Sequence, residues 1–181
     1  MVAFSPRLIG SQMSDDSERR RIEDLAENGD VQAQIFLGWA HDRHGDYEYD
    51  PVRAERWLRA AAESQDVEAL RRLCRFLNVH GRDEAVILAD ELINRGDFCG
   101  HYLKGHMLLD GSCGLAADTE SGLTHLRTAG EMGHLISELD FWRHGSRYPL
   151  LNPGTLFRLL VLSARMIVRI YRDPHSWTVF R

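Results

Sequence analysis

The chain has 181 residues, of which 44% are hydrophobic and 27% are charged, a balance typical of a folded protein rather than a disordered one. Its net charge of -5 provides no overall basic field, so we expect no nucleic-acid partner. The charge is uneven, because residues 1–150 hold 17 basic and 26 acidic residues, whereas residues 151–181 hold five arginines and one aspartate.

The three cysteines have no regular spacing, which argues against a disulfide framework and favours a reducing compartment. The N-terminus lacks a charged start followed by a long apolar core, so we expect no secretory signal. No stretch of the sequence has about 18 consecutive apolar residues without a charge, which is the length that a membrane-spanning helix requires. We therefore expect a cytoplasmic protein, with residues 1–16 as a disordered N-terminal segment. The preference for arginine over lysine suggests a bacterial source.

A short motif recurs along the chain. The sequence GDVQA at 29–33 returns as QDVEA at 65–69, and more loosely as GDFCG at 96–100 and GHLIS at 133–137. The offsets are 36, 31 and 37 residues, and a fixed period of this length indicates a helical repeat protein. We number the four repeats 1 to 4 from these starts. Residues 17–28 resemble the second helix of an incomplete repeat in front of them.

Each repeat predicts two helices. Small residues such as Gly38 and Gly105 recur in the first helix and allow a neighbouring helix to approach closely. A glycine turn follows, at Gly45, Gly81 or Gly111. The second helix then begins after a capping residue, which is Asp50 before Pro51 in repeat 1 and Asp118 in repeat 3. Trp57, Leu88 and His125 occupy corresponding places in the second helices.

The repeat 1 pattern resembles the Sel1-like repeat family, which is related to the tetratricopeptide repeats. The residues that carry the resemblance are Ala33, Leu37, Gly38, Gly45, Asp50, Ala54, Trp57 and Ala60-Ala61-Ala62-Glu63. It extends over residues 21–145 and departs from the family at His41, where tyrosine is usual, and at Gln65, where glycine is usual. The resemblance implies an all-α, right-handed α-α superhelix (a solenoid) of antiparallel helix pairs. It also implies an adaptor function in which a groove binds a protein partner without catalysis.

We expect a repeat array over 17–145 and a C-terminal amphipathic helix with a tail over 146–181. One side of each first helix is predicted to face the partner, because aromatic and arginine side chains are enriched where binding energy concentrates. The predicted partner-binding residues are Phe36, Trp39, Arg43, Arg72, Arg75, His106 and Arg143. The alternative is that the aromatic residues pack one first helix against the next.

The segment 154–172 predicts a helix with a narrow basic stripe on an otherwise apolar surface. The stripe consists of Arg158, Arg165, Arg169 and Arg172, which fall within about 60° at about 100° per residue. Three interpretations stay open: a cap on the array, contact with a protein partner or a second copy, and contact with a membrane surface. The last would make the protein a peripheral accessory at the inner membrane, for example in envelope or polysaccharide assembly.

We predict neither a metal site, nor a cofactor, nor a small-molecule substrate. Cys99, His101, His106 and Cys113 lie within fifteen positions, but zinc favours paired ligands at tighter spacing. No nucleophile elbow and no phosphate-binding glycine loop is recognisable. The hypothesis is therefore a non-catalytic protein-binding adaptor.

Overall fold

A computed structural model of the protein describes residues 16–42 and 47–145, together with 157, 160, 161, 163 and 164. The described part is helical and contains no β-strand. Its helices are α1 (Asp16–Glu27), α2 (Val31–His41), α3 (Pro51–Ala62), α4 (Val67–Val79), α5 (Glu84–Asn94), α6 (Phe98–Asp110), α7 (Thr119–Glu131) and α8 (Leu135–Gly145). The chain divides into two compact units, Met1–Leu77 and Asn78–Arg181, called here the N-terminal body and the C-terminal body.

The helices fall where the repeat predicts them. The first helices of repeats 1 to 4 are α2, α4, α6 and α8, and the second helices of repeats 1 to 3 are α3, α5 and α7. The preceding helix, α1, is the predicted second helix of an incomplete repeat, and it packs on α2. The predicted all-α class is therefore confirmed for the described residues.

Each repeat begins at a residue in the left-handed backbone conformation. Gly29, Gly96 and Gly133 have φ values of 87°, 71° and 96°, and glycine adopts this region without steric cost. The fourth such residue is Gln65, with φ of 60°. The departure from the family pattern at Gln65 thus changes the residue but keeps the backbone turn.

Aspartates cap the second helices of repeats 1 and 3 in the same way. One oxygen of Asp50 accepts the N–H groups of Val52 and Arg53, both at 3.0 Å, and Asp118 accepts the N–H of Ser121 at 3.1 Å. Pro51 is the first residue of α3, where its missing N–H leaves no helical bond unmade. The predicted caps are confirmed.

Small residues permit the close helix contacts of the C-terminal body. A Cβ atom added to Gly122 on α7 would lie 2.9 Å from the carbonyl oxygen of Gly105 on α6, and one added to Gly105 would lie 3.0 Å from Leu126 Cγ. In the N-terminal body, a Cβ atom on Gly38 would lie 2.5 Å from Leu58 Cγ. The predicted close approach at Gly38 and Gly105 is therefore confirmed, and it brings first and second helices into direct backbone proximity.

Candidate functional site

Helix α2 is largely buried, and Trp39 is its one exposed aromatic residue. The indole is 39% exposed, whereas eight of the eleven residues of α2 are buried. Its ring centroid lies 6.0 Å from that of Phe36, so the exposed indole is supported from beneath. Gln32, about two turns of helix away on α2, is also exposed. Trp39 thus offers a large, positioned aromatic surface.

Phe36 lies in the core instead of on the predicted partner face. It belongs to a buried cluster that includes Ile22 and Ala26 of α1 and Tyr47 of the following loop. The ring of Tyr47 meets Phe36 edge to face, with centroids 6.0 Å apart. Because α1 and Tyr47 cover this side of α2, Phe36 is a packing residue and is not exposed to a partner.

His41, which departs from the family pattern, contacts residues that precede α3. His41 is 4% exposed, and its Nδ1 lies 3.0 Å from the carbonyl oxygen of Glu48. Its ring meets Tyr47 edge to face, with centroids 5.3 Å apart. Burial, assisted by the nearby Glu23 carboxylate, raises the pKa of the Tyr47 phenol. His41 and Tyr47 therefore form a structural contact between α2 and the residues that precede α3.

Three half-buried arginines lie on α4. Arg72 donates to Glu68 on the same helix at 2.8 Å, and Arg71 lies 3.4 Å from the other oxygen of Glu68. Arg75 is half-buried and forms no hydrogen bond or ion pair with the described residues. In the repeat, Arg75 occupies the position of Trp39, 36 residues earlier. The side chain of Arg75 is therefore unpaired within the described residues, whereas Arg72 shares the carboxylate of Glu68 with Arg71.

In the C-terminal body, histidines and a tyrosine join α6 to α8. His106 Nε2 lies 3.2 Å from Asp140 Oδ2, and the His106 ring meets the Tyr102 ring edge to face at 4.8 Å. The exposed ring of His144 lies 6.4 Å from that of His106, centroid to centroid. Arg143, beside it in sequence, is also exposed. Two predicted residues, His106 and Arg143, thus lie on the helices that form this face.

Sequence reasoning omitted Tyr102 and His144 from this face. Tyr102 and His106 are four residues apart on α6, so they share a helix side, and Asp140 and His144 have the same spacing on α8. That spacing was a usable signal. The contact between the two pairs depends on how α6 and α8 pack, which the sequence alone does not specify.

A second histidine pair lies between α6 and α7. His101 Nδ1 and His125 Nδ1 are 2.9 Å apart, which requires one ring to donate and the other to accept. Burial lowers the pKa of both histidines, and the ammonium group of Lys104 lowers both further. Lys104 itself forms an ion pair with Asp90 of α5. Both imidazoles are thus held toward their neutral forms.

Several predicted residues lie outside the described part of the chain. They are Arg43, Arg158, Arg165, Arg169 and Arg172. Within the segment 154–172, Phe157, Leu160 and Val161 are described, and they are 68%, 62% and 41% exposed.

A membrane-spanning helix and a cluster of metal ligands are both absent from the described residues. No helix among them is long and apolar enough to cross a membrane. In the same residues, no three histidine, cysteine or acidic side chains are grouped so that they hold a metal ion.

Two solved structures resemble this chain. One is a protective antigen present in uropathogenic Escherichia coli strains and described as displaying an SLR fold; it has a TM-score of 0.57 and 20% identity, over 68% of this chain and 27% of the antigen. The other is a Sel1 repeat protein from Oxalobacter formigenes, with a TM-score of 0.62 and 19% identity, over 96% of this chain and 79% of that one. No protein-family model matches the chain, and no curated protein matches its sequence.

These similarities define an all-α helical repeat protein. More specifically, the chain has the fold of Sel1-like repeat proteins, as its sequence predicts. The identities are below 25%, so the comparison establishes the fold. The chain spans about a quarter of the length of the antigen structure.

Proposed function

We propose that this chain is a non-catalytic adaptor that binds a segment of a partner protein on the exposed side of its first helices. The observation that carries the proposal is Trp39, a large aromatic side chain left exposed on a helix of which eight of the eleven residues are buried. Tryptophan and arginine are the residue types in which interface binding energy concentrates. Arg75, at the equivalent position of the next repeat, supports the same conclusion.

The partner segment fits this surface if it offers both apolar and acidic groups. The indole of Trp39 gains from covering by apolar groups, and the guanidinium of Arg75 gains from a carboxylate that it does not have among the described residues. His106 and Arg143, on the C-terminal body, are further proposed contact residues. The proposal includes a cytoplasmic location, which the irregular spacing of the three cysteines favours.

The test begins with the full chain as bait in an extract of its native host, with crosslinking. The dissociation constant of any recovered protein is then measured by calorimetry for wild type, Trp39→Ala and Arg75→Glu. We expect each substitution to weaken binding by roughly tenfold or more, the loss of about 1.4 kcal/mol or more that hot-spot residues show.

Matched controls exclude a general effect on the surface. Tyr49→Ala removes an aromatic side chain that is 43% exposed but lies in the loop before α3, and Arg20→Glu reverses an exposed charge on α1. Both should bind like wild type. Failure to recover any specific protein, or equal binding by all four variants, would overturn the proposal.

A second function has one observation in its favour. The exposed apolar side chains of Phe157, Leu160 and Val161 lie in the segment that carries the arginine stripe of the sequence. An apolar surface flanked by arginines is typical of a helix that lies on a membrane surface. Flotation of the full chain with vesicles containing anionic lipid, compared with a chain ending at residue 153, tests this alternative. Equal recovery of both in the soluble fraction counts against it.

A further inference from the structure

The first helix of repeat 4 has an unusual capping residue. In repeats 1 to 3, an aspartate accepts backbone N–H groups at the start of the first helix: Asp30 from Ala33 at 2.8 Å, Asp66 from Ala69 at 3.1 Å and Asp97 from Cys99 at 2.9 Å. In repeat 4 the corresponding residue is His134.

The ring of His134 performs the aspartate's role. Its Nδ1 accepts the N–H of Ser137 at 3.3 Å, three residues into the helix, as Asp30 accepts from Ala33. The Ser137 hydroxyl lies 2.7 Å from the same nitrogen. A backbone N–H only donates, so Nδ1 accepts it only while that nitrogen carries no proton. The cap of α8 therefore depends on a neutral imidazole.

The side chain of His134 is shielded from solvent by its neighbours. The side chain is 2% exposed, and its ring stacks on Phe98 with centroids 4.7 Å apart and planes 17° apart. The Tyr102 ring meets it edge to face at 4.8 Å. Both aromatic residues belong to α6, so the capping ring is also the contact that holds the start of α8 on α6.

We propose that α8 is a pH-sensitive helix whose first turn is released from α6 when His134 takes up a proton. Histidine has an ordinary pKa of about 6.5, whereas aspartate stays ionised down to about pH 4. A protonated Nδ1 donates instead of accepting, so the Ser137 N–H loses its acceptor. The imidazolium also faces the positive end of the α8 dipole, and its charge is buried. The aspartate caps of repeats 1 to 3 lack this sensitivity between pH 5 and 8.

Other groups around His134 oppose or modulate the release. The titratable or charged side chains on the elements packed against it include Asp97, Tyr102, Lys104 and His106 at the start of or on α6, His125, Arg127 and Glu131 on α7, and Glu138, Asp140 and Arg143 on α8. Protonation of His106 strengthens its contact with Asp140, which holds the middle of α8. Stacking on Phe98 also favours a charged ring to a small extent. Loosening should therefore be strongest in the first turn of α8.

Amide hydrogen exchange of the full chain tests the proposal. After correction for the intrinsic pH dependence of exchange, lowering the pH from 7.5 to 5.5 should speed exchange in residues 135–139 by roughly tenfold, since this range crosses histidine's ordinary pKa. His134→Asn keeps an oxygen acceptor that does not titrate, and its α8 should show less than about a threefold change. His134→Asp, with the cap of the other repeats, should behave like His134→Asn.

The matched control is Asp97→Asn, which changes the cap of α6 in the same way. Exchange at the start of α6 should then show no more dependence on pH than in wild type. If His134→Asn retains the wild-type acceleration at low pH, or if wild type shows none, the proposal is wrong.

A measurement on wild type avoids reliance on the variants' folding. Nitrogen NMR at pH 7.5 should show the His134 ring protonated on Nε2 alone, and the Ser137 amide signal should shift with the same midpoint as the ring titrates. A ring that carries its proton on Nδ1 at pH 7.5 would overturn the proposal.

Discussion

At the scale of single residues, one of the turns between repeats has a residue with a side chain where the others have glycine. Gln65 adopts φ of 60°, a conformation in which its Cβ atom lies too close to the neighbouring backbone. The glycines at the equivalent positions avoid this cost. The chain therefore stores a small strain at the start of repeat 2.

Replacing Gln65 with glycine should relieve that strain. We expect Gln65→Gly to raise the free energy of unfolding by about 1 kcal/mol, the cost of a left-handed conformation for a residue with a side chain. The reverse change, Gly96→Gln, should lower it by a similar amount, because Gly96 has φ of 71° and nothing within 4 Å of its added Cβ atom. Urea denaturation at pH 7.5 measures both. An unchanged or lower stability of Gln65→Gly would contradict the strain argument.

The sequence identified some single residues better than others. The caps Asp50 and Asp118 were predictable, because a cap depends on its own helix alone. Phe36 was misplaced, because the side of α2 that it occupies is covered by Ile22 and Ala26, which lie on another helix. Helix periodicity gives the side of a side chain but not which neighbouring element covers that side.

At the scale of helices, the pair of imidazoles between α6 and α7 links packing to pH. The 2.9 Å contact of His101 with His125 is a hydrogen bond only while one of the two nitrogens donates and the other accepts. Two protonated rings would each present a donor, and their charges would repel each other and Lys104. The contact is therefore favourable only when the pair is not doubly protonated.

The pH dependence of stability follows from the direction of the two pKa shifts. Burial lowers the pKa of His101 and His125 below the ordinary value, so the unfolded chain binds more protons than the folded one near pH 6. The stabilisation is then present above about pH 6.5 and is lost as the pH falls below it. Urea midpoints should decrease from pH 7.5 to 5.0.

A variant separates this pair from the other histidines. His125→Leu, which uses the residue found at the matching place in repeat 2, should reduce the decrease in stability between pH 7.5 and 5.0. His80 directly follows α4 and lies outside this contact. His80→Gln should therefore leave the decrease in stability between pH 7.5 and 5.0 unchanged. If His125→Leu has the same pH dependence as wild type, the His101–His125 contact is not its source.

At the scale of the whole molecule, α1 protects the end of the repeat array. Ile22 and Ala26 are 4% and 1% exposed, and they cover Ala33 and Leu37 of α2 in one buried cluster. A terminal element of this kind is what repeat proteins need at their ends, because the outermost repeat otherwise exposes its apolar face.

A truncated chain tests this role. A protein that begins at Gly29 should lose at least about 3 kcal/mol of stability, within the range measured when one large buried aliphatic side chain is removed, and should bind a hydrophobic dye. A protein that begins at Asp16 retains α1 and serves as the reference for this comparison. Equal stability of the two truncated proteins would show that α1 is dispensable.

Within residues 16–145, the sequence predicted the helix order better than it predicted the contacts between side chains of different helices. The helix order follows from a motif that occurs in all four repeats. A weakly matching copy, such as 133–137, can therefore be recognised by its distance from the stronger copies. The face formed by Tyr102, His106 and Asp140 has no such redundancy, because repeats 1 and 2 do not carry those residues. Its existence depends on side chains that meet only after α6 and α8 have packed.

The helix contacts have a consequence for how the chain is made. Within each body, the extensive contacts join helices that are adjacent in sequence, such as α2 with α3 and α6 with α7. Folds with such local contacts form in microseconds to milliseconds, whereas a ribosome adds about 5–20 residues per second. A 36-residue repeat thus takes roughly seconds to emerge. Each helix pair therefore has time to fold during translation, before the next repeat has left the ribosome.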